Sequence, residues 1–359
     1  MPSKTRHIFA AAAAVSLAGI LGMPSAAQAA WQISDEDSSI KFGFLAQMRA
    51  ESVDAGSAGD SNDLFFRRLR LLAGGKLNDN WSFFFETDSP NIGKGSGSGK
   101  GTSDVYIQDF VVTYKPGGDS FMLDFGMLLN ALTYNSNQSA VSLMTTDYAP
   151  VSFVWSGPLD ARVGRDYGVR ARGYLLGDRL EYRASILGGN RDTRDADYRF
   201  MGRLAFNVFT AQKGLFYSGT TLGKSQILVF GASYDTQEDY EAYSVDAHWD
   251  QPIGSGSITV SGAWSHLDGD DFLTSLPEQD NIWFEAGWYF GGLKLMPFFQ
   301  YTERDFDSES LADAETMQFG LGYMFRGHNG NVKFSWATTD VDGADDIDTF
   351  WINLQAFKF

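Results

Sequence analysis

Sixteen stretches of the chain alternate apolar and polar residues as β-strands do, near 40–50, 64–77, 81–88, 105–115, 121–127, 165–176, 180–188, 198–209, 226–235, 240–250, 256–267, 281–291, 293–303, 315–326, 330–339 and 348–358. In 257–265, Ile258, Val260, Gly262 and Trp264 share one face, and Thr259, Ser261, Ala263 and Ser265 the other. In 317–326, Met317, Phe319, Leu321, Tyr323 and Phe325 oppose Gln318, Gly320, Gly322, Met324 and Arg326. In 332–339, Val332, Phe334, Trp336 and Thr338 oppose Lys333, Ser335, Ala337 and Thr339. Period two with one apolar face marks a strand buried on one side. Sixteen such strands, most long enough to cross a bilayer when tilted, predict an all-β transmembrane antiparallel barrel whose apolar face meets lipid and whose polar face meets water. Closure follows from the same physics, because hydrocarbon cannot satisfy an open sheet edge. A barrel of this strand number encloses an aqueous channel rather than a packed core.

The connections alternate between short and long. Those at 78–80, 115–120, 176–179, 251–255, 291–292 and 327–329 are short, whereas 89–104, 188–197, 266–280, 304–314 and 340–348 are longer. Short turns at one end and long loops at the other are the expected pattern of an outer-membrane barrel. Two connections depart from it: 210–225 is long where a short turn is due, and 236–239 is short where a long loop is due. The longest stretch without strand alternation is 128–166. It carries Leu143, Met144, Tyr148, Val151, Phe153, Val154 and Trp155, too much apolar surface for a solvated linker. It is expected to fold into the barrel mouth and narrow it, with Leu143, Tyr148, Phe153 and Trp155 as the constriction.

The first residues add a destination. Lys4, Arg6 and His7 precede an apolar run over 8–22, and Ala27-Gln28-Ala29 is an A-x-A cleavage site. This predicts a signal peptide over 1–29 and a mature barrel domain over 30–359. An uncleaved anchor is the alternative. There is no cysteine, so export here involves no disulfide. An aromatic content of 15% together with 39 glycines suits aromatic girdles and tight turns. The formal charge is −17, and −19 once Lys4 and Arg6 are removed with the signal. Residues 204–359 hold 7 basic and 23 acidic residues. Such acidity excludes nucleic acid as a partner.

The arginines carry the candidate chemistry. Arg68 and Arg70 share a strand face, with Arg67 expected on the other; Arg170 and Arg172 share a face; Arg183, Arg199 and Arg203 lie on neighbouring strands; Arg162 and Arg165 close the long loop. Charge at mid-depth facing lipid is costly, so these faces should point inward. One reading makes them a track for anions, since guanidinium donors fit carboxylate, phosphate and sulfate. The other pairs them with lumen acids such as Glu86, Asp88, Asp166 and Glu181, where they stiffen the wall. Both stand on the sequence.

Other motifs are weaker. The acidic 268–271 and 342–348 loops lack the spacing of a calcium-binding loop and read as a solvated face, with divalent bridging to lipopolysaccharide a further option. The glycine-rich 93–101 stretch lacks the Lys-Ser/Thr ending of a phosphate-binding loop. Asp246, His248 and Asp250 share a strand face without an evident nucleophile, so no enzyme is expected, and no cofactor or metal. The final strand ends in Phe359, as outer-membrane assembly signals do. Trp351, Phe357 and Phe359 share a face that Asn353 and Gln355 interrupt, so a bulge or a subunit contact is expected there.

The segments Phe65-Phe66-Arg67-Arg68-Leu69-Arg70 with 75–81, Val163-Gly164-Arg165-Asp166-Tyr167-Gly168-Val169, and 216–224 resemble corresponding parts of the phosphate-selective porin O/P family, and the likeness spans nearly the whole mature chain. The resemblance implies a sixteen-stranded, trimeric outer-membrane porin with an inward-folded third loop, assembled by the barrel-assembly machinery among outer-membrane lipid and lipopolysaccharide. It also implies a basic constriction and an arginine track for phosphate or other oxyanions. Here 128–161 contains neither Lys nor Arg, a departure from that pattern. The expected function is passive diffusion of small hydrophilic solutes, leaning toward anions. The alternatives are a cation-leaning porin, a carbohydrate porin with Trp283 and Tyr289 as a stacking slide, and a structural or plugged barrel.

Overall fold

The computed structural model describes residues 31–96, 99–191 and 195–359, so the expected signal peptide over 1–29 lies outside the described residues. Among these, sixteen strands form the barrel wall: β1 (Ser39–Asp54), β2 (Asp60–Lys76), β3 (Trp81–Asp88), β4 (Tyr106–Tyr114), β5 (Met122–Leu129), β6 (Arg165–Leu175), β7 (Leu180–Leu187), β8 (Arg199–Asn207), β9 (Ile227–Gln237), β10 (Tyr240–Ile253), β11 (Gly256–Asp268), β12 (Gln279–Tyr289), β13 (Leu295–Phe306), β14 (Ala314–Tyr323), β15 (Gly330–Val341) and β16 (Ile347–Lys358). Each pairs antiparallel with its sequence neighbours, and β1 pairs with β16 from Phe44↔Lys358 to Asp54↔Asp348. The sheet is therefore closed and has no free edge to satisfy in lipid.

The alternation seen in sequence becomes inside and outside. On β9, Val229, Ser233, Asp235 and Gln237 point inward and are buried, whereas Phe230 and Tyr234 are about half exposed on the outer wall. The outer wall is apolar around the barrel, with Leu71, Val169, Ile186, Leu204, Val245, Phe284 and Phe319 exposed. Aromatic rings border it at both ends. Trp81 and Tyr114, 4.7 Å apart, lie at the end that holds the chain termini, and Tyr243 and Trp264, 5.6 Å apart, at the other. Such rings place one end in hydrocarbon and one in the polar interface.

Local chemistry sets the turns. Asn78 Oδ1 accepts hydrogen bonds from the N–H groups of Asn80 and Trp81, both 3.0 Å, an Asx-turn that returns β2 into β3. The short connection between β9 and β10 is a two-residue hairpin, Gln237↔Tyr240, with Glu238 at φ 50°. A short strand absent from the sequence reading, Trp31–Ser34, folds back on β1 with Trp31↔Phe42, in line with the end of β16.

The last strand settles its mixed faces without a bulge, since β16 pairs in unbroken register on both sides. Phe350, Ile352 and Leu354 face outward. Trp351, Asn353, Gln355 and Phe357 face inward, where Gln355 donates to the Val141 and His328 carbonyls at 2.9 and 2.6 Å. The Phe359 ring packs edge-on against Phe84 at 5.9 Å. Of the two interrupting polar residues, Gln355 thus holds the crossing loop from the lumen side. Bulges lie elsewhere, between β1 and β2 and between β3 and β4.

Candidate functional site: the lumen and its loops

The 130–164 loop enters the barrel and crosses it, as its apolar content requires. Its first arm lies on β7 to β10. Asn130 Oδ1 accepts from Ser185 Oγ (2.7 Å), and the Leu132 carbonyl accepts from the hydroxyls of Ser233 and Ser244, both 2.7 Å. The middle of the loop reaches the opposite wall. Lys333 Nζ on β15 donates to the carbonyls of Leu143 (2.5 Å) and Thr145 (2.7 Å), and Gln47 Nε2 on β1 donates to the Ala140 carbonyl at 3.2 Å. The returning arm contains a short 3₁₀ turn, Pro150–Phe153, and ends in a tight hairpin in which Arg162 and Arg165 exchange backbone hydrogen bonds of 3.0 Å. Val163 at φ 47° and Gly164 at φ 79° occupy the centre of that hairpin. Left-handed backbone is unusual for a β-branched residue such as Val163.

A second segment meets this loop from the termini end. The 208–226 connection, too long for its position in the alternation, folds inward. Tyr217 exchanges backbone hydrogen bonds of 2.9 Å with Asn137 and Ser139, and the Thr220 N–H donates to the Ser142 carbonyl at 3.2 Å. Tyr134 stacks on Tyr217 at 4.9 Å and on His248 at 4.1 Å. Phe216 packs against Phe84 at 5.6 Å.

At the opposite end an apolar plug covers part of the mouth. Trp155 and Leu159 of the crossing loop pack with Leu273 and Leu276 of the 269–278 loop and with Leu187, Met201, Tyr240, Ala242 and Leu267 of the wall. Deleting the Trp155 side chain removes a large, fully buried group. Trp155→Ala is expected to cost about 3–5 kcal/mol, read from denaturant unfolding in lipid vesicles, and to expose the loop to chymotrypsin. An unchanged unfolding midpoint would contradict the plug.

The arginines expected along the passage sit almost entirely in ion pairs. Arg70 donates to Glu86 (2.6 Å) and to Asp88 (2.9 Å). Arg165 faces Asp109 at 3.2 Å, and Arg170 and Arg172 both reach Asp124 at 2.7 Å. Arg183 donates to Glu181 at 2.7 Å. Arg199 engages Asp235 at 2.6 Å and Asp166 at 3.2 Å, with the Trp155 ring 5.0 Å from its guanidinium. Arg203 makes a two-pronged pair with Asp246 at 2.6 and 2.9 Å. Gly231 leaves the room for that pair, since a Cβ there would collide with the Arg203 guanidinium. Arg162 is exposed at the loop end and lies 4.0 Å above the Tyr106 ring. The wall from Arg70 on β2 to Asp246 on β10 is thus an ionic lattice beneath the loops. Burying such charges is tolerated because each finds a partner in close geometry.

Basic charge in excess of its partners appears on the other side of the barrel, and two of its residues lie outside the expected track. Between β1 and β2 the pairing slips, Gln47↔Arg68 and then Met48↔Phe66, so Arg67 is the extra residue of a β-bulge. The bulge turns Arg67 and Arg68 to the same side, where strict alternation puts Arg67 on the outer face. Arg49 on β1 joins them. All three converge on one loop carboxylate, Asp147: Arg68 at 2.6 Å, Arg67 at 2.7 Å and Arg49 at 2.9 Å. Burial alone would raise the Asp147 carboxyl, but Arg67, Arg68 and Arg49 outweigh it and hold it well below the usual carboxylate range. The one hint in sequence is the doubled Arg67-Arg68, which breaks period two.

A cavity of about 310 Å³ opens beside this cluster, lined by Arg49, Arg67, Arg68, Asp147, Tyr148, Phe153, Val163, Gln300, Thr316, Gln318 and Trp351 among others. Of the nine arginines singled out in the sequence, Arg68 borders it. Of the four loop residues, Tyr148 and Phe153 border it, while Leu143 and Trp155 are buried in packing. Trp283 is buried in the wall, and Tyr289 packs on the cluster of Met144 and Leu222, so neither borders this cavity. His248 is also sealed. Its Nδ1 lies 2.6 Å from Ser261 Oγ, a cross-strand partner that only the β10–β11 register reveals, and Tyr134 covers its ring. Among the described residues no cluster of three or more His, Asp or Glu side chains is arranged to hold a metal ion.

The barrel with its crossing loop is a porin architecture. It is similar to OmpF of Salmonella typhi, solved in complex with daunomycin (TM-score 0.63, 14% identity, covering 90% of this chain and 100% of that one). It is likewise similar to an anion-selective porin from Comamonas acidovorans (0.61, 12%, 89% and 100%) and to OmpT of Vibrio cholerae in a trimer form (0.54, 14%, 90% and 100%). At such identities the likeness is one of fold. No curated protein matches the chain in sequence. The sequence profile of the phosphate-selective porin O and P family does match, over residues 39–263, which is more than half of the chain. By its sequence, then, and in keeping with its closed sixteen-stranded wall and inward loop, this chain belongs to the phosphate-selective porin O and P family and is a channel-forming porin of the bacterial outer membrane.

Proposed function

We propose that the channel passes small hydrophilic solutes by passive diffusion and prefers anions, and that Arg49, Arg67 and Arg68 set the preference. The observation that carries this reading is the imbalance of charge at the cavity, where three guanidiniums share the Asp147 carboxylate. Guanidinium donors suit oxyanions, and a site of uncompensated positive charge raises the local anion concentration. The family is described as phosphate-selective, and one structural neighbour as anion-selective. In this proposal Arg68 contacts the solute, Arg162 meets it at the mouth, and Arg70, Arg165, Arg170, Arg172, Arg183, Arg199 and Arg203 act through their ion pairs by holding the wall on which the loop rests. The trimer form of one neighbour supports a homotrimer. Phe359 and its strand would serve recognition by the barrel-assembly machinery, with lipopolysaccharide around the outer rim. The sealed His248 and Ser261 pair is assigned a packing role and no reaction.

The test is the zero-current potential of single channels under a KCl gradient. A potential on the chloride side of zero is expected, reduced or reversed in Arg67→Gln. A cation-favouring potential would overturn the anion reading. One observation favours that second reading: Glu303, Asp305, Asp313, Glu315, Asp340 and Asp342 gather around a cavity of about 190 Å³ at the loop end. Charge on exposed loops is screened within about 8–10 Å at physiological salt, whereas the arginines lie inside the barrel, so the inner site should dominate.

A further inference from the structure

We infer that the cavity beside Arg49, Arg67 and Arg68 selects organic monocarboxylates with a flat apolar body over inorganic phosphate. The inference rests on the anion reading above and narrows it to a substrate class. The arginine cluster already holds a carboxylate. Asp147 Oδ1 accepts from Arg68 at 2.6 Å, and Oδ2 accepts from Arg67 Nε at 2.7 Å and from Arg49 at 2.9 Å. The next residue, Tyr148, places its ring 5.4 Å from the Arg68 guanidinium. The loop therefore presents a carboxylate and an aromatic ring side by side to the arginines.

Room and charge remain for a second ligand of that kind. Arg49 lines the cavity and is 4% exposed, yet its Nε has no hydrogen-bond partner. Glu51, 3.9 Å from Arg49, is itself engaged by Lys94 at 2.7 Å and by Trp351 Nε1 at 2.9 Å. Arg49, Arg67, Arg68 and Lys94 thus face Asp147 and Glu51, an excess of two positive charges. The Trp351 ring lies 5.5 Å from the Arg49 guanidinium, and Tyr148 and Phe153 supply further apolar wall. A planar carboxylate could set its head on Arg49 and its body against these rings.

Phosphate fits less well. It needs donors on all sides, and the far wall offers few. The Gln300 amide N–H groups are directed to Thr145 at 3.2 Å and Glu285 at 3.3 Å, and Gln318 Nε2 to Ser335 at 3.3 Å, which leaves Gln318 Oε1 as an unpaired acceptor. Desolvating a dianion without replacing its hydrogen bonds is unfavourable.

The experiment titrates benzoate, acetate and phosphate against single-channel current of the full-length porin in planar bilayers at neutral pH, with the KCl-gradient potential recorded in the same membranes. Benzoate is expected to half-block at a concentration at least about tenfold below acetate and phosphate, the size of one good stacking or charge-assisted contact. Trp351→Leu should erase the benzoate-over-acetate advantage, and Arg49→Gln should weaken both carboxylates. Each variant is first checked for heat-modifiable migration, and Phe153→Leu serves in place of either one that misfolds. Equal block by benzoate and acetate, or stronger block by phosphate, would overturn the inference while a chloride-favouring potential leaves the anion reading in place. A cation-favouring potential with benzoate block intact would remove the general preference and keep this site. A cation-favouring potential without block would remove both.

Discussion

Asp147→Asn is expected to raise anion partition into the channel about fivefold, moving the zero-current potential further toward chloride, and to loosen the crossing loop. Removing a unit charge about 4 Å from a permeating ion changes its energy by about 1 kcal/mol even at the dielectric of water, which is about a fivefold change in partition. The substituted amide would keep the shape but lose the charge that Arg49, Arg67 and Arg68 share. Three guanidiniums would then repel one another with no carboxylate between them. Breaking a buried ion cluster from one side costs about 3–5 kcal/mol. The loss falls on the loop, because Asp147 is its ionic link to β1 and β2. Lys333 would still hold the carbonyls of Leu143 and Thr145. Current noise should therefore rise without the channel losing its fold. An unchanged zero-current potential would show that permeating ions do not sense this cluster.

The same link makes a pH prediction. The Asp147 carboxyl is held below its ordinary value by the arginines. Its contribution is therefore fully present above the ordinary carboxylate pKa, about 3.9, and is lost only as pH falls through the depressed value. The wild-type channel should show the same noise at pH 4 as at pH 7. Asp147→Asn should be noisy at both.

Arg203→Met should produce the second large effect, this time on stability. Arg203 lies on β8, donates to Asp246 on β10 at 2.6 and 2.9 Å, and reaches Ser233 Oγ on β9 at 3.1 Å. It also donates to the Leu132 carbonyl of the crossing loop at 3.2 Å and to the Tyr217 hydroxyl of the inward 208–226 segment at 3.3 Å. One guanidinium thus ties three wall strands to both inward segments. The single change leaves Asp246 buried without a partner and should cost about 3–5 kcal/mol in vesicle unfolding. Adding Asp246→Leu removes the stranded charge, so the double variant should recover most of that loss. If the double variant is no more stable than the single one, Arg203 matters through its loop contacts rather than through its ion pair.

Much of this molecule is legible in its sequence. The strands are readable because a barrel wall is a local pattern: each residue faces lipid or lumen, and Met317, Phe319 and Leu321 record the choice directly. The crossing loop is readable because Leu143, Met144 and Trp155 have no place in water, and all three are buried. The odd 210–225 connection stands out as an exception to the alternation, although nothing in it announces its fold into the lumen. Two details of the wall run against strict alternation. Period two puts Arg67 on the outer face and leaves a bulge or a subunit contact as the expectation for the last strand. Bulges lie instead at Arg67, between β1 and β2, and at Gln108, between β3 and β4, because register is set by pairing with the neighbouring strand and not by the alternation of one strand alone.

Side-chain polarity counted along single strands is enough to specify the barrel, its lipid-facing surface, the inward loop and the supply of lumen arginines. What those arginines do is set by packing in three dimensions. Asp124 lies 46 residues from Arg170, Asp147 lies 79 from Arg68, and Asp235 lies 36 from Arg199, so which charge is cancelled depends on register and loop path rather than on composition. The lattice cancels charge from Arg70 on β2 to Asp246 on β10 and leaves an excess at Arg49, Arg67 and Arg68, and that placement locates the candidate site.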